Sequence, residues 1–185
     1  MDSFMIYIKS DLYRYCGKSS LKIFIKEYFI NPGFKFMVWH RLSNYARTKN
    51  WLLYFIPWYK LRKLKFRFGY DIPAETTIGK GFYIGHIGGI VITSKAIIGN
   101  NCNISQGVTI GYSSRGKNKG YPTIGDKVYI GPGAVIIGNV KIGNNAAIGA
   151  NAVVLKDIEE NAVAVGVPSK IMNFNGSEGY ILNAV

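Results

Sequence analysis

The stretch Ile124-Gly125-Asp126-Lys127-Val128-Tyr129-Ile130-Gly131-Pro132-Gly133-Ala134-Val135-Ile136 sets an aliphatic residue at every sixth position. The count runs on through Ile142, Ile148 and Val154. Upstream it governs Ile98, Ile104 and Ile110, and before them Ile72, Ile78, Ile84 and Ile90. A short fixed period is read before local structure, because it decides the architecture. An amphipathic helix spaces its apolar residues three and four apart, and a half-buried strand alternates strictly. One aliphatic in six fits neither. It fits a parallel coil with three flat faces, one hexapeptide per face, each sending one aliphatic inward. The competing sandwich with glycine-rich turns does not account for thirteen aliphatics in three phase-locked runs.

The fourth residue after each aliphatic also faces inward in such a coil. There the chain carries Thr76, Cys102, Val108, Val128, Ala134, Val140, Ala146 and Ala152, mostly small, with Phe82 and Gly88 as exceptions. Gly99-Asn100-Asn101 and Gly143-Asn144-Asn145 suit tight corners, since both residue types tolerate positive φ. Roughly five turns stacked about 4.8 Å apart give a prism about 24 Å tall.

The remainder is chemically different. Residues 1–70 carry 14 Lys and Arg against 3 Asp and Glu, and residues 71–185 carry 9 against 7. The first segment also holds 19 of the 26 aromatic residues. The expected layout is a basic, aromatic, helical segment over 1–70, a prism over 71–172 and a tail over 173–185. Within 1–70, residues 20–30 and 34–48 read as helices separated by the breaker Asn31-Pro32-Gly33. Lys60–Phe68 interleaves cations with an apolar stripe of Leu61, Leu64 and Phe68. Three readings compete for it: a cap over the open end of the prism, a peripheral contact of residues 50–68 with an anionic membrane, and a nucleic-acid surface. The first two are compatible. No nucleic-acid fold accompanies the patch, so no nucleic-acid partner is expected.

Cys16 and Cys102 form no disulfide framework, and Cys102 occupies an inward slot. Without CxxC or clustered Cys and His, no metal is expected. Met1–Ser10 contains Asp2 and lacks a leader's apolar stretch. Trp51–Trp58 is too short to span a bilayer. The expected location is the cytoplasm.

The count slips twice. Ile90 and Ile98 are eight apart, and Ile110 and Ile124 are fourteen apart, so a loop over 111–123 must leave the prism. It is glycine-rich and basic, with Tyr112, Arg115 and Tyr121, and long loops on rigid scaffolds tend to carry function. His86 lies in Ile84-Gly85-His86-Ile87-Gly88-Gly89, beside the first slip. Histidine titrates near neutrality and is the natural general base there. Asp71, nearly one turn earlier, is positioned by spacing to orient and stabilise the imidazole. His40, in a helical stretch beside Trp39 and Arg41, reads as structural.

Asp71-Ile72-Pro73 with His86, Gly107-Val108-Thr109-Ile110-Gly111 and Gly166-Val167-Pro168-Ser169-Lys170 resemble the left-handed parallel β-helix acyltransferases. Within these, the chain resembles the serine acetyltransferase-like group that includes O-acetyltransferases of capsule, colanic acid and other surface polysaccharides. The resemblance is strong over about residues 70–172 and weak over 32–70. It implies an all-β main domain, a left-handed β-helix with a short α-helical N-terminal segment and an excursion loop. It also implies acetyl transfer from acetyl-CoA to a hydroxyl, and a homotrimer with its site between prisms. By the same resemblance His86 is the catalytic base and Asp71 its partner. Gly111, Gly131, Pro132 and Ala150 line the pantetheine groove, and Lys170 lies near the nucleotide end.

Two departures bear on the acceptor. Serine acetyltransferases carry an Asp before the histidine, where this chain has Gly85. They carry Arg-His before the loop proline, where this chain has Gly120-Tyr121. Losing that arginine removes a charge-assisted carboxylate contact. On this ground the expected acceptor is a sugar hydroxyl or lipid-linked glycan of a surface polysaccharide, met by Gly85, Tyr112, Arg115 and Tyr121. The alternatives are serine O-acetylation in cysteine biosynthesis and a non-catalytic β-helix scaffold.

Overall fold

Each hexapeptide becomes one short strand and one corner in the computed structural model, which describes residues 3–185. Met1 and Asp2, which open the 1–70 segment and bear on the leader argument, lie outside the described residues. Three parallel sheets form the faces of the prism. The first holds β1 (Tyr70–Asp71), β4 (Ile90–Ile92), β7 (Thr109–Gly111), β10 (Val135–Ile137) and β13 (Val153–Val154). The second holds β2 (Thr77–Ile78), β5 (Ile97–Ile98), β8 (Thr123–Ile124) and β11 (Lys141–Ile142). The third holds β3 (Tyr83–Ile84), β6 (Asn103–Ile104), β9 (Tyr129–Ile130), β12 (Ala147–Ile148) and β14 (Val163–Val165), closed by the antiparallel β15 (Lys170–Asn173).

Register follows the period. Ile84 pairs with Ile104, Ile104 with Ile130 and Ile130 with Ile148, so the aliphatics stack in columns. All thirteen are buried, as are the small residues of the second inward slot and Phe82. Fully burying one such aliphatic contributes roughly 1.5–3 kcal/mol, which is why the period specifies the fold so firmly. The prism is the left-handed β-helix expected from the hexapeptides.

The register places the two extra residues of the first slip between β3 and β4. Ile92, not Ile90, stands in the column of Ile72, Ile110, Ile136 and Val154, so the step of eight runs from Ile84 to Ile92 and the step from Ile92 to Ile98 is the regular six. The extra residues belong to the turn that carries His86, so the slip lies beside the histidine as the count suggested. The loop at 111–123 leaves the prism as expected. It folds into a short antiparallel turn bridged by Ser113 and Gly120, and Asn118 ties it to Asn139 and Leu155.

Four helices precede the prism: α1 (Ser3–Cys16), α2 (Leu21–Ile30), α3 (Pro32–Arg47) and α4 (Trp51–Phe68). Ser20 caps α2 by accepting from Ile23 N–H, and Asn50 caps α4 by accepting from Leu52 N–H. Gly69, at φ 69°, ends α4 in the left-handed conformation that glycine adopts freely. The expected breaker shrinks to one residue. Asn31 alone separates α2 from α3, because Pro32 starts a helix without needing its missing N–H. Gly33 lies inside α3, where a Cβ would strike the Ile84 carbonyl and the Tyr15 hydroxyl. The helix therefore approaches β3 through a glycine.

Phe36 and Met37 of α3 and Leu61 and Leu64 of α4 belong to the same buried cluster as the prism aliphatics. The helices therefore close the N-terminal end of the coil. Buried polar groups fasten them. Arg41 pairs with Asp11 at 2.9 Å and donates to the carbonyls of Ile78 and Gly79, while Asp11 accepts from Phe82 N–H. Burial pushes the Asp11 carboxyl above its ordinary range, and Arg41 opposes that shift. Arg14 donates to the carbonyls of Gly81 and Leu182 and to Asn103 Oδ1. The C-terminal tail thus returns along the third sheet to α1, with Tyr180 stacked on Tyr129 at 4.1 Å.

Candidate active site

Gly85–Gly89 turn the chain from β3 into β4 and leave His86 exposed at the corner. Three hydrogen bonds from the start of the prism hold this turn. The Tyr70 hydroxyl donates to the His86 carbonyl at 3.1 Å, Gly88 N–H donates to the Phe68 carbonyl at 3.0 Å, and Ile90 N–H donates to the Gly69 carbonyl at 3.0 Å. Tyr70 is wholly buried against the rings of Phe36 and Phe68. Burial raises its pKa, so the hydroxyl stays a donor. Sequence reasoning passed over Tyr70; its place directly before Asp71 was the available signal.

The same corner recurs on each turn, as Ser105-Gln106-Gly107, Gly131-Pro132-Gly133 and Gly149-Ala150-Asn151. Gly107 N–H donates to the Gly88 carbonyl and Gly133 N–H to the Gln106 carbonyl, each at 2.9 Å, and Asn151 N–H donates to the Pro132 carbonyl at 2.8 Å. The stacking requires glycine. A Cβ on Gly131 would lie 2.9 Å from Ala150 N, and Gly107 and Gly133 sit at φ 73° and 68°. The result is a strip of main chain with few side chains, suited to an extended ligand. His86 and Gln106 stand on this strip one turn apart. Gln106 Oε1 is buried and has no hydrogen-bond partner among the described residues. Sequence reasoning missed Gln106 too, since nothing in the period marks it.

Asp71 departs from its expected contact. Its carboxylate pairs with Lys65 Nζ at 2.5 Å, and among the described residues no hydrogen bond joins it to His86. The reason is local: Lys65 lies in the last turn of α4, within side-chain reach of β1.

The expected residues fall into two groups. Gly85, His86, Gly131, Pro132 and Ala150 share the corner between the third and first sheets. Gly111, Tyr112, Arg115 and Tyr121 lie at the other end of the first sheet's strands, where the loop leaves. There Tyr112 stacks on Tyr121 at 4.7 Å, and Lys95 lies over the Tyr121 ring at 5.4 Å. Arg115 is exposed. Lys170 stands apart, exposed on β15 opposite Val165.

Elsewhere, His40 is buried and donates from Nε2 to the Pro73 carbonyl at 3.0 Å. Burial lowers its pKa to about 3, with help from Arg41, so the ring is neutral. Cys16 and Cys102 are both free, and burial pushes the Cys102 thiol up to about 12. Among the described residues no three His, Cys, Asp or Glu side chains gather to hold a metal.

Residues 121–156 match the family model "Bacterial transferase hexapeptide (six repeats)". The serine acetyltransferase of Synechococcus elongatus is 35% identical over 145 residues, covering 78% of this chain and 59% of that protein. The soybean serine acetyltransferase apoenzyme superposes with a TM-score of 0.78 at 31% identity, covering 92% of this chain and 69% of that one. A serine acetyltransferase solved in complex with CoA gives 0.76 at 30% identity, covering 92% and 70%. The chain belongs to the serine acetyltransferase family.

It spans less than two thirds of the length of the curated relatives it matches first. The match corrects one expectation. Curated relatives 35–44% identical to the chain carry the name serine acetyltransferase, which overturns the polysaccharide acceptor inferred from Gly85 and Tyr121. That inference weighed two side chains above a likeness that includes the helices as well as the prism.

Proposed function

We propose that the chain is an acetyl-CoA-dependent serine O-acetyltransferase, working as a homotrimer in the cytoplasm. The observation that carries this reading is an exposed histidine on a glycine-built main-chain strip, in a chain related to serine acetyltransferases. His86 takes the proton from the serine hydroxyl as the oxygen attacks the thioester carbonyl. The tetrahedral adduct collapses, the carbon–sulfur bond breaks, and the CoA thiolate receives the proton from His86. Main-chain N–H groups along the corner strip are the available oxyanion donors. Tyr70 fixes the turn that carries the base. Asp71 assists by exchanging the Lys65 ammonium for the imidazolium, whose charge develops in the same step.

Gly131, Pro132 and Ala150 offer a side-chain-poor wall for pantetheine, with Gly111 at the far end of β7 and Lys170 toward the nucleotide. The two groups of residues lie at opposite ends of the first sheet, and packing of a neighbouring prism is the simplest way to bring His86 beside a loop. With glycine at 85 and Gly120-Tyr121 before Pro122, the acceptor's carboxylate needs another cation; Lys95, which lies over the Tyr121 ring, and Arg115 of the excursion loop are the candidates.

Incubation with acetyl-CoA and serine, following free thiol and O-acetylserine, tests the activity. Serine-dependent release of CoA is expected. A chain that neither binds acetyl-CoA nor releases CoA is a scaffold, and the proposal fails. Sedimentation analysis is expected to give the mass of three chains.

A further inference from the structure

Helix α4 is apolar on two faces. Leu61 and Leu64 point into the core, with Tyr54 and Phe68 packed beside them. The opposite face presents Leu52, Phe55, Ile56, Tyr59 and Phe66 to solvent, with Trp51 and Leu53 at its start. Leu52, Ile56, Tyr59 and Phe66 recur at intervals of four, three and seven, which aligns them in one stripe. Trp51 is 75% exposed and Phe66 72%. A globular surface rarely leaves so contiguous an apolar strip uncovered.

Cations border this strip. Lys60, Arg62, Lys63 and Arg67 are exposed, and residues 51–68 contain no acid. Among the described residues none of the four pairs with a carboxylate. Arg62 lies over the rings of Trp58 and Phe66, and Lys63 lies over Tyr59. Helix α2, which packs on the same α3, repeats the pattern with exposed Leu21, Ile25 and Phe29 beside Lys22 and Lys26. Its one acid, Glu27, is buried.

We propose that the outer face of α4, with the exposed stripe of α2, is a docking surface for an anionic lipid bilayer. The helix lies in the interface, its apolar stripe among the acyl-chain ends and its flanking cations at the lipid phosphates. Charge selects this occupant. A second copy docking through the same face would set cations against cations, whereas anionic headgroups neutralise them. Among the described residues no helix is long and apolar enough to cross a membrane, so the contact is peripheral. It is independent of the acetyl-transfer reading.

The test is flotation of the full chain with phosphatidylcholine vesicles made with and without phosphatidylglycerol. Flotation with the anionic vesicles alone is expected. Replacing Lys60, Arg62, Lys63 and Arg67 by Gln is expected to weaken it at least about tenfold. Leu52→Ser, Ile56→Ser and Phe66→Ser together are expected to abolish it while circular dichroism and solution mass stay unchanged. Each of these side chains is exposed, so the variants keep the core. No flotation with anionic vesicles at low salt overturns the proposal. So does a fall in solution mass of the serine variant without loss of flotation, which assigns the face to a second copy. Loss of flotation only when a nucleic-acid oligonucleotide is removed overturns it in favour of nucleic acid.

Discussion

The Tyr70 hydroxyl donates to the main-chain carbonyl of His86 at 3.1 Å, from a side chain with no exposed surface. One buried phenol therefore links the first strand of the prism to the turn bearing the candidate base. Tyr70→Phe keeps the ring packing against Phe36 and removes only this bond. The expected result is a lower kcat with KM for acetyl-CoA nearly unchanged, and a stability loss of about 1 kcal/mol by denaturant titration. Equal kcat in the two forms would remove Tyr70 from the positioning of His86.

Gln106 stands one turn from His86 with its side-chain oxygen buried and unpartnered. Gln106→Ala should cost little stability, because no protein bond is lost. It is expected to raise KM or lower kcat if that oxygen receives a substrate N–H or O–H group. Steady-state kinetics at saturating and limiting acetyl-CoA separate the two effects.

Gly85 is not required by its backbone. A Cβ there meets only the Tyr83 ring, at 3.3 Å, and φ is not positive. Gly85→Asp is therefore expected to fold normally and, on the serine reading, to lower KM for serine by supplying a carboxylate beside His86. Gly131→Val is the contrasting case. Its Cβ meets main-chain atoms at 2.9 Å, and the thermal midpoint should fall by several degrees.

His40 makes stability depend on pH in a definite direction. Its folded pKa of about 3 lies below the ordinary 6.5, so the unfolded chain takes up a proton that the folded chain refuses. This contribution is fully present above pH 6.5 and is lost progressively as pH falls from there toward 3. By pH 4.5 the loss is on the order of 2–3 kcal/mol. Denaturant midpoints from pH 7 to 4.5 should fall, and His40→Gln should flatten the slope.

The Asp11–Arg41 pair fastens α1 and α3 to the prism. Arg41→Met leaves a buried carboxylate with an amide donor but no cation, and is expected to destabilise by about 3–5 kcal/mol. Asp11→Asn with Arg41→Met should recover part of that loss.

The prism was legible because its signal is repetitive: twelve of the thirteen aliphatics stack in register, Ile92 takes the column place of Ile90, and each reports the same burial. Helices α2 and α3 were legible through the breaker between them, although Pro32 turned out to start a helix. Helix α1 was not legible, because its buried residues include Asp11 and Arg14, whose partners are 30 to 168 residues away. His86 was marked by its glycine-rich setting and by the slip in the count beside it. Tyr70 and Gln106 were not, because their roles depend on which turns stack, a relation between sequence-distant main-chain atoms. The acceptor was misread because the absence of a charge at 85 and 120–121 says what a contact is not. It does not say which other cation replaces it.

The most direct test is the rate of serine-dependent CoA release by the wild-type chain and by His86→Ala, with acetyl-CoA binding measured alongside. The wild-type chain is expected to turn over, and the variant to lose roughly 10²–10⁴-fold in kcat while still binding acetyl-CoA. No serine-dependent release by the wild-type chain, or a variant that retains most of its rate, would contradict the account.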